Sequence, residues 1–376
     1  QNSKTQSLRE VLGSKIKNNK NYQIPLTFIE AKYLQDGDLI AEKIDENELN
    51  VYKIDLGWFL DNQEHNITTD YIYNDTKIAI KNGDIYNRYI DVDNDFCRFF
   101  GLYMADGTSS YDKSNKSLRV CSHTNETINI DLVKKVLFQL TDKEPSIKKY
   151  KNRQAVSVES YSALHGTFFK QFGKLENKYF PSWVLKLPIE KQKNIVHGLF
   201  MGDGCYFEEK NISIYVTISY ELASQLRQLL QRIGVTYNVN KIIKQGNRKP
   251  QYRFEVRGNI KNGEFDCERN STRSLNYNGY YFRQIKSIKE IEYHGNVYNI
   301  EVKNDNSYTS KIGVLHNSEG FGMPVLEAAA CGVPVIGVDY SAMSDSLRKL
   351  GGVPIAPKAL SMELETGCFR AVPDND

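Results

Sequence analysis

A chain of 376 residues with 25% charged and 40% hydrophobic side chains has the balance of an ordinary globular protein, with two or three domains expected from its length. A net charge of +3 is too small to argue for nucleic-acid binding by itself, so any basic surface must be local. No apolar run approaches transmembrane length, which argues against a membrane partner, and the six cysteines show no C-x-x-C pairing, as expected of free thiols in a reducing cytoplasm.

In chain order, the first ninety or so residues read as rich in strands and turns. The stretch from Phe28 to Ile40 predicts strand, turn, strand, with Asp36-Gly37 as the turn. Residues 41–94 are rich in Asn, Asp and Tyr with little periodicity, and 61–94 is expected to be a linker. Gln1 is not an initiator methionine, so the chain is expected to be a piece of a longer product that lacks its N-terminal segment.

From Asp95 an internal repeat begins. Phe99-Phe100-Gly101-Leu102-Tyr103-Met104-Ala105-Asp106-Gly107 and Val196-His197-Gly198-Leu199-Phe200-Met201-Gly202-Asp203-Gly204 are two apolar helices with small residues four apart, each closing on Asp-Gly. Such a ridge lets two helix backbones approach closely. The glycines are expected to supply the left-handed residue that ends each helix. An aspartate there faces the negative end of the helix dipole and calls for a compensating cation. Packed side by side, the helices bring Asp106 and Asp203 together as a site for divalent metal. After the first helix come a hairpin ending in Leu118–Cys121, a helix over 128–140, strands at 145–149 and 155–158, and a helix over 163–172. After the second, strands at 212–218, 235–243 and 252–256 and a helix over 221–233 follow in the same order, the two acids lying 97 residues apart. Each repeat, about 95–175 and 190–266, thus reads as αββ followed by αββ.

These paired motifs resemble the two-repeat LAGLIDADG homing endonucleases of the DOD type over residues 95–266. The resemblance implies a pseudo-symmetric saddle on double-stranded DNA, with Asp106 and Asp203 holding Mg²⁺ and each serving one strand. Carboxylate and water ligands suit magnesium, and carboxylates holding such ions suit phosphodiester hydrolysis. Lys178-Tyr179-Phe180-Pro181 matches a Lys-x-x-Pro stretch of the family, which gives Lys178 the role of polarising water or stabilising the transition state; the alternative is a solvated surface lysine. No basic counterpart is identified in the second half. DNA contacts are expected from Lys148, Lys149, Lys151 and Arg153 in the first repeat and from Lys241, Lys244, Arg248, Lys249, Arg253 and Arg257 in the second, reaching phosphates and guanine edges from alternate strand positions.

Downstream, Val297–Val302 and Ile312–Ser318 resemble the C-terminal end of an intein. By that resemblance Asn317 cyclises onto its own carbonyl, His316 donates a proton to the departing amide, and Ser318 accepts the upstream chain before cleavage. The upstream nucleophile and its Thr-x-x-His motif are missing, and Asn299 and Asn306 stand where an Asp and a His usually assist, so this chain is not expected to splice alone. Ser318–Ile336 in turn resembles the donor site of retaining glycosyltransferases with two Rossmann-like domains. That resemblance puts Glu319 against the transferred sugar and Glu327 on the nucleotide ribose, with a helix N-terminus for the diphosphate.

The combined expectation is an α+β chain. A β-rich Hint-type splicing domain (1–60 and 280–317) is split around a pseudo-symmetric endonuclease and followed by an α/β Rossmann-like fragment at 318–376. The principal activity expected is metal-dependent DNA cleavage by a monomer. The alternative is a glycosyltransferase whose insert is decayed. A free-standing endonuclease with flanking binding modules leaves His316-Asn317-Ser318 unexplained.

Overall fold

The structure is a computed structural model describing residues 24–29, 31–61, 71–80, 84–111, 116–150, 153–243, 249–260, 266–267, 274–295, 302, 307–310, 313–316, 330–338, 347–355, 357–362 and 369–373. The chain divides into two units, one formed by residues 1–22 and 44–282 and the other by 23–43 and 283–376.

The first unit is built on the repeat. Its first copy runs α1 (Asn94–Asp106), β1 (Gly107–Tyr111), β2 (Lys116–His123), α2 (Thr127–Thr141), β3 (Ser146–Lys149), β4 (Ala155–Ser160) and α3 (Ala163–Lys170). The second runs α4 (Ile189–Asp203), β5 (Cys205–Phe207), β6 (Ile212–Thr217), α5 (Tyr220–Arg232), β7 (Tyr237–Ile242) and β8 (Gln251–Asn259). Both sheets are antiparallel with the same strand order, β1-β2-β4-β3 and β5-β6-β8-β7. Burial alternates along β6 and β8: Phe254 and Val256 pack inward while Arg253 and Arg257 point away, so the second sheet has one face under helices and one open. In the first sheet the open face carries Arg119 and Lys148, although Ser157 and Glu159 on that face are buried. Leu222, Leu226, Leu229 and Leu230 bury one side of α5, as their spacing predicts.

Helices α1 and α4 pack against each other at unusually short range. A Cβ on Gly101 would stand 2.1 Å from the Ile195 carbonyl oxygen, and one on Gly198 1.9 Å from that of Arg98. One turn further on, a Cβ on Gly202 would meet the Ala105 methyl at 2.5 Å. The contact therefore excludes any larger residue at these positions, and Arg98 reaches across it to the Asn194 side chain at 2.8 Å. Rings of Phe99, Phe100, Phe169 and Phe172 pack edge to face behind α1, which fixes the helix against its own repeat.

Three expectations are corrected. Gly107 and Gly204 have φ of −78° and −83°, so they are not left-handed caps. Glycine is required there for space, because a Cβ would lie 2.3 Å from the Tyr103 carbonyl oxygen and 2.2 Å from that of Phe200. The segment 61–94 is not a bare linker. Tyr71–Tyr73, Lys77–Ile80 and Ile85–Asn87 form a three-stranded sheet, and Tyr89–Asp91 pairs with Lys53–Asp55. Arg88 ties the two together with a bidentate pair to Asp55 (2.8 and 2.7 Å) while lying over the Tyr73 ring, an arrangement without hydrophobic periodicity and therefore invisible to a search for it. Within the 28–40 stretch, Ala31–Tyr33 forms a 3-10 turn in place of the first expected strand.

In the second unit Gly37 takes φ 99° in the expected turn, and Asp38 and Gly37 exchange backbone hydrogen bonds with Ile285. Ser307–Ser310 and Gly313–His316 form an antiparallel hairpin. Ile336–Val338 pairs in parallel with Val353–Ile355, matching the parallel strand expected within 333–338. The strand expected at 297–302 and the helix at 323–330 fall almost wholly outside the described residues. Among the described residues no helix is long and apolar enough to cross a membrane.

Candidate functional site

The two acids converge. Asp106 ends α1, Asp203 ends α4, and their carboxyl groups lie close enough to share a hydrogen bond. The close packing of Gly202 against Ala105 makes this possible, and Oδ2 of Asp106 lies 3.4 Å from where a Cβ on Gly202 would stand. Burial, then the charge of Asp203, pushes the Asp106 carboxyl up to about 7. Behind the pair, burial and both carboxylates keep the phenol of Tyr215 neutral.

Lys178 is the cation at this site. Its ammonium donates to the carbonyl oxygens of Met104 (2.8 Å) and Ala105 (2.6 Å), neutralising the end of the α1 dipole. It is not a solvated surface lysine: burial lowers its pKa, while Asp203 and Asp106 act in the opposite direction. The segment that carries it is pinned from α5. The Ser219 hydroxyl, which also caps α5, donates to the Lys178 carbonyl at 2.6 Å, and the Gln225 side-chain amide holds both the N–H and the carbonyl of Phe180 at 2.6 and 2.7 Å. At the end of α4 the place of the lysine is taken by a neutral donor, with the buried Asn129 amide 3.4 Å from the Met201 carbonyl. The site thus has two acids and one cation, which leaves an excess of negative charge.

Sequence reasoning did not identify Ser219, Gln225, Asn129, Tyr215 or Glu126, whose charge also bears on Asp106. Gln225 and Asn129 carried a legible signal, since each is a buried amide on the inner side of an amphipathic helix.

The expected DNA-contacting residues divide by register. Lys148 lies opposite Ser157 on the open face of the first sheet, and Arg253 and Arg257 lie on the open face of the second. Lys149 and Lys241 pair with Val156 and Tyr252, on the helix-covered side, so the structure separates them from that set. Side chains one residue apart on a strand point to opposite faces, and consecutive lysines cannot both be on one. Lys249 forms an ion pair with Glu176 beside the Lys178 loop, and Arg153 is exposed in the β3–β4 connection. Lys151, Lys244, Arg248, Asn317, Ser318, Glu319 and Glu327 lie outside the described residues. Arg119, absent from the expected set, stands on the open face with Nε donating to Thr108 at 2.8 Å and a guanidinium nitrogen 3.8 Å from Glu159.

The donor set suits a hard divalent cation such as Mg²⁺: two converging carboxylates with surplus charge, and no soft ligand among them. Among the described residues no group of three or more His, Cys, Asp or Glu side chains could hold an ion alone. Because the folded-state pKa of Asp106 lies above its ordinary value, protonation favours the folded protein; that stabilisation is full below about 4 and is lost as pH rises through about 7. In EDTA, stability is therefore expected to fall between these values. Mg²⁺ is expected to raise the thermal midpoint more at pH 8 than at pH 5, where protons compete for the site. An equal Mg²⁺ shift at both pH values contradicts a carboxylate site.

Comparison with known proteins places a LAGLIDADG-like domain at residues 190–281 and a match to glycosyl transferases group 1 at residues 243–365. The chain is 25% identical over 256 residues to the ATP-dependent DNA helicase Hel308 of Thermococcus kodakarensis, covering 63% of this chain and 22% of the helicase. It is also 25% identical over 250 residues to a DNA polymerase of Thermococcus hydrothermalis, covering 59% of this chain and 15% of the polymerase. The chain therefore spans less than a quarter of the length of either relative. Among solved structures it is similar to the complex of I-DmoI with DNA and Mn, with a TM-score of 0.35 and 12% identity over 44% of this chain and 90% of that one.

Proposed function

We propose that this chain is a site-specific DNA endonuclease that hydrolyses phosphodiesters at the junction of α1 and α4. The convergence of Asp106 and Asp203 at the ends of twin helices carries this reading. A divalent ion held by the two carboxylates would supply charge relief at the phosphate and an activated water. The chain's own residues do the rest. The glycine contacts fix the separation of the acids. The open sheet faces, with Lys148, Arg253 and Arg257, lie along the duplex and contact phosphates and base edges. Lys178, tethered to the α1 carbonyls and facing both acids, orients water and stabilises developing negative charge.

The reading is tested with supercoiled plasmid carrying a duplex selected by the full chain from a randomised double-stranded library, with Mg²⁺ as the ion. Linear product is expected. Lys178→Met should lower the cleavage rate by about 10²-fold, the scale of losing one preorganised charged donor, with duplex affinity unchanged. Cleavage at the wild-type rate would remove the lysine from the mechanism.

We further propose that the nuclease is embedded in a splicing element that interrupts a glycosyltransferase. Two observations support this. The chain matches a helicase and a polymerase over only small fractions of their length, as expected of a module carried inside proteins of different activity. An antiparallel hairpin ends at His316, and a parallel strand pair, proper to an α/β fold, follows it. The second observation also favours the alternative reading, in which the glycosyltransferase part, with Glu319 and Glu327, is the working enzyme and the insert is inert. Asn317→Ala is expected to stop any release of the fragment beginning at Ser318; persistence of that release would point to a protease.

A further inference from the structure

The two repeats share a topology, but their open sheet faces are chemically unlike. Register aligns them position by position. Arg119 lies opposite Thr108, and Ile214 opposite Cys205, each of these partners standing two residues past its acid. Glu159 and Glu255 then occupy the same place, opposite Arg119 and Ile214 respectively. Along the strand, Ser117, Arg119 and Cys121 of the first repeat correspond to Ile212, Ile214 and Val216 of the second, and Ser110 corresponds to Phe207. The first face is polar and internally hydrogen-bonded, with Glu159 accepting from the Ser157 hydroxyl at 2.7 Å and the Tyr161 hydroxyl at 3.0 Å.

The second face carries a contiguous apolar row. Phe207 is 46% exposed and Val216 36% exposed, and Ile212 and Ile214, half-buried, stand between them. Single exposed apolar residues need no explanation; four in register on one open face do. The row is bordered by Arg257, opposite Ile212, and Arg253, opposite Val216. Arg253 pairs with Glu255 through one guanidinium nitrogen at 3.0 Å, its side chain remaining partly exposed while its Nε is buried. An apolar protein surface would leave these guanidinium groups unmatched. A DNA major groove suits both, presenting phosphates and base acceptors to the arginines and thymine C5-methyl groups to the apolar row. Adjacent strands lie about 4.8 Å apart, so β5 and β6 together fit a groove about 12 Å wide.

We propose that the second sheet recognises thymine methyl groups through Phe207, Ile212, Ile214 and Val216, while the first reads by hydrogen bonds centred on Arg119. This rests on the endonuclease reading of the preceding section. The test uses duplexes selected by the full chain, without added metal, from a randomised double-stranded library. Thymines are then replaced by deoxyuridine, which lacks only the methyl, in one half-site at a time.

Loss of two or three methyl contacts should weaken binding about tenfold in one half and less than about twofold in the other. Ile214→Ser with Val216→Ser should abolish the uracil penalty, whereas Arg119→Ala should leave it intact. Equal penalties in both halves, or a penalty that survives the serine variant, would overturn the inference while leaving the nuclease reading in place. Enrichment of no duplex at all would overturn both.

Discussion

Replacing Asp106 or Asp203 with asparagine is expected to reduce DNA cleavage by about 10³-fold or more while duplex binding stays within about twofold of wild type. The acids stand at the dipole-negative ends of α1 and α4; on the proposed reading phosphate and base contacts come from the sheets, so chemistry and affinity would reside in different residues. Asparagine keeps the shape and one acceptor oxygen but removes the charge that attracts a cation. It also removes repulsion: the carboxyl of Asp106 is pushed up to about 7 by burial and by Asp203, so either variant should be more heat-stable than wild type in EDTA at pH 8. One pKa unit corresponds to about 1.4 kcal/mol, which makes the gain measurable. Plasmid cleavage, gel-shift binding and thermal unfolding on the same preparations check the three parts. A variant that cuts at the wild-type rate would remove its acid from the site.

The second large effect is structural. Gly198→Val should destabilise the first unit by about 3 kcal/mol or more, because its side chain would enter space already held by the Arg98 carbonyl, where backbone cannot yield as a side chain does. At about 2–4 °C per kcal/mol for a unit of this size, the thermal midpoint should fall by roughly 10 °C. A companion pair keeps this from being a mere folding failure. Gly202→Ala should be destabilising because its methyl meets that of Ala105 at 2.5 Å, and Ala105→Gly in the same chain should restore most of the loss. Additive losses from these two changes would mean that the helices are not in contact at that point.

Much of this was legible in the sequence. The twin Asp-Gly motifs, their small-residue ridges and the matching order of elements gave the repeat, the helix pair and the convergence of the acids, because each is a local pattern that recurs. Lys178 was legible by its resemblance to a family motif, although its tether to Met104 and Ala105 was not, since that contact spans more than seventy residues. Sheet register was not legible either. A run of basic residues such as Lys148-Lys149 looks like one patch, and only the pairing with Ser157 and Val156 shows that its members face opposite ways. The same holds for Gly107 and Gly204, where a helix-ending glycine suggests a left-handed residue. The requirement there is steric, and it depends on how each helix end curls back on its own carbonyl. Residues 71–80 and 84–91 contribute strands held by Arg88 and Asp55, an ion pair that no periodicity announces.

Electron paramagnetic resonance with Mn²⁺ observes directly whether a divalent ion is held at the ends of α1 and α4. Titrated into the full chain bound to a selected duplex, Mn²⁺ should be immobilised in the wild type and remain free in the chain carrying Asp106→Asn and Asp203→Asn together. If the doubly substituted chain immobilises as much Mn²⁺ as the wild type, the ends of the paired helices are not the metal centre.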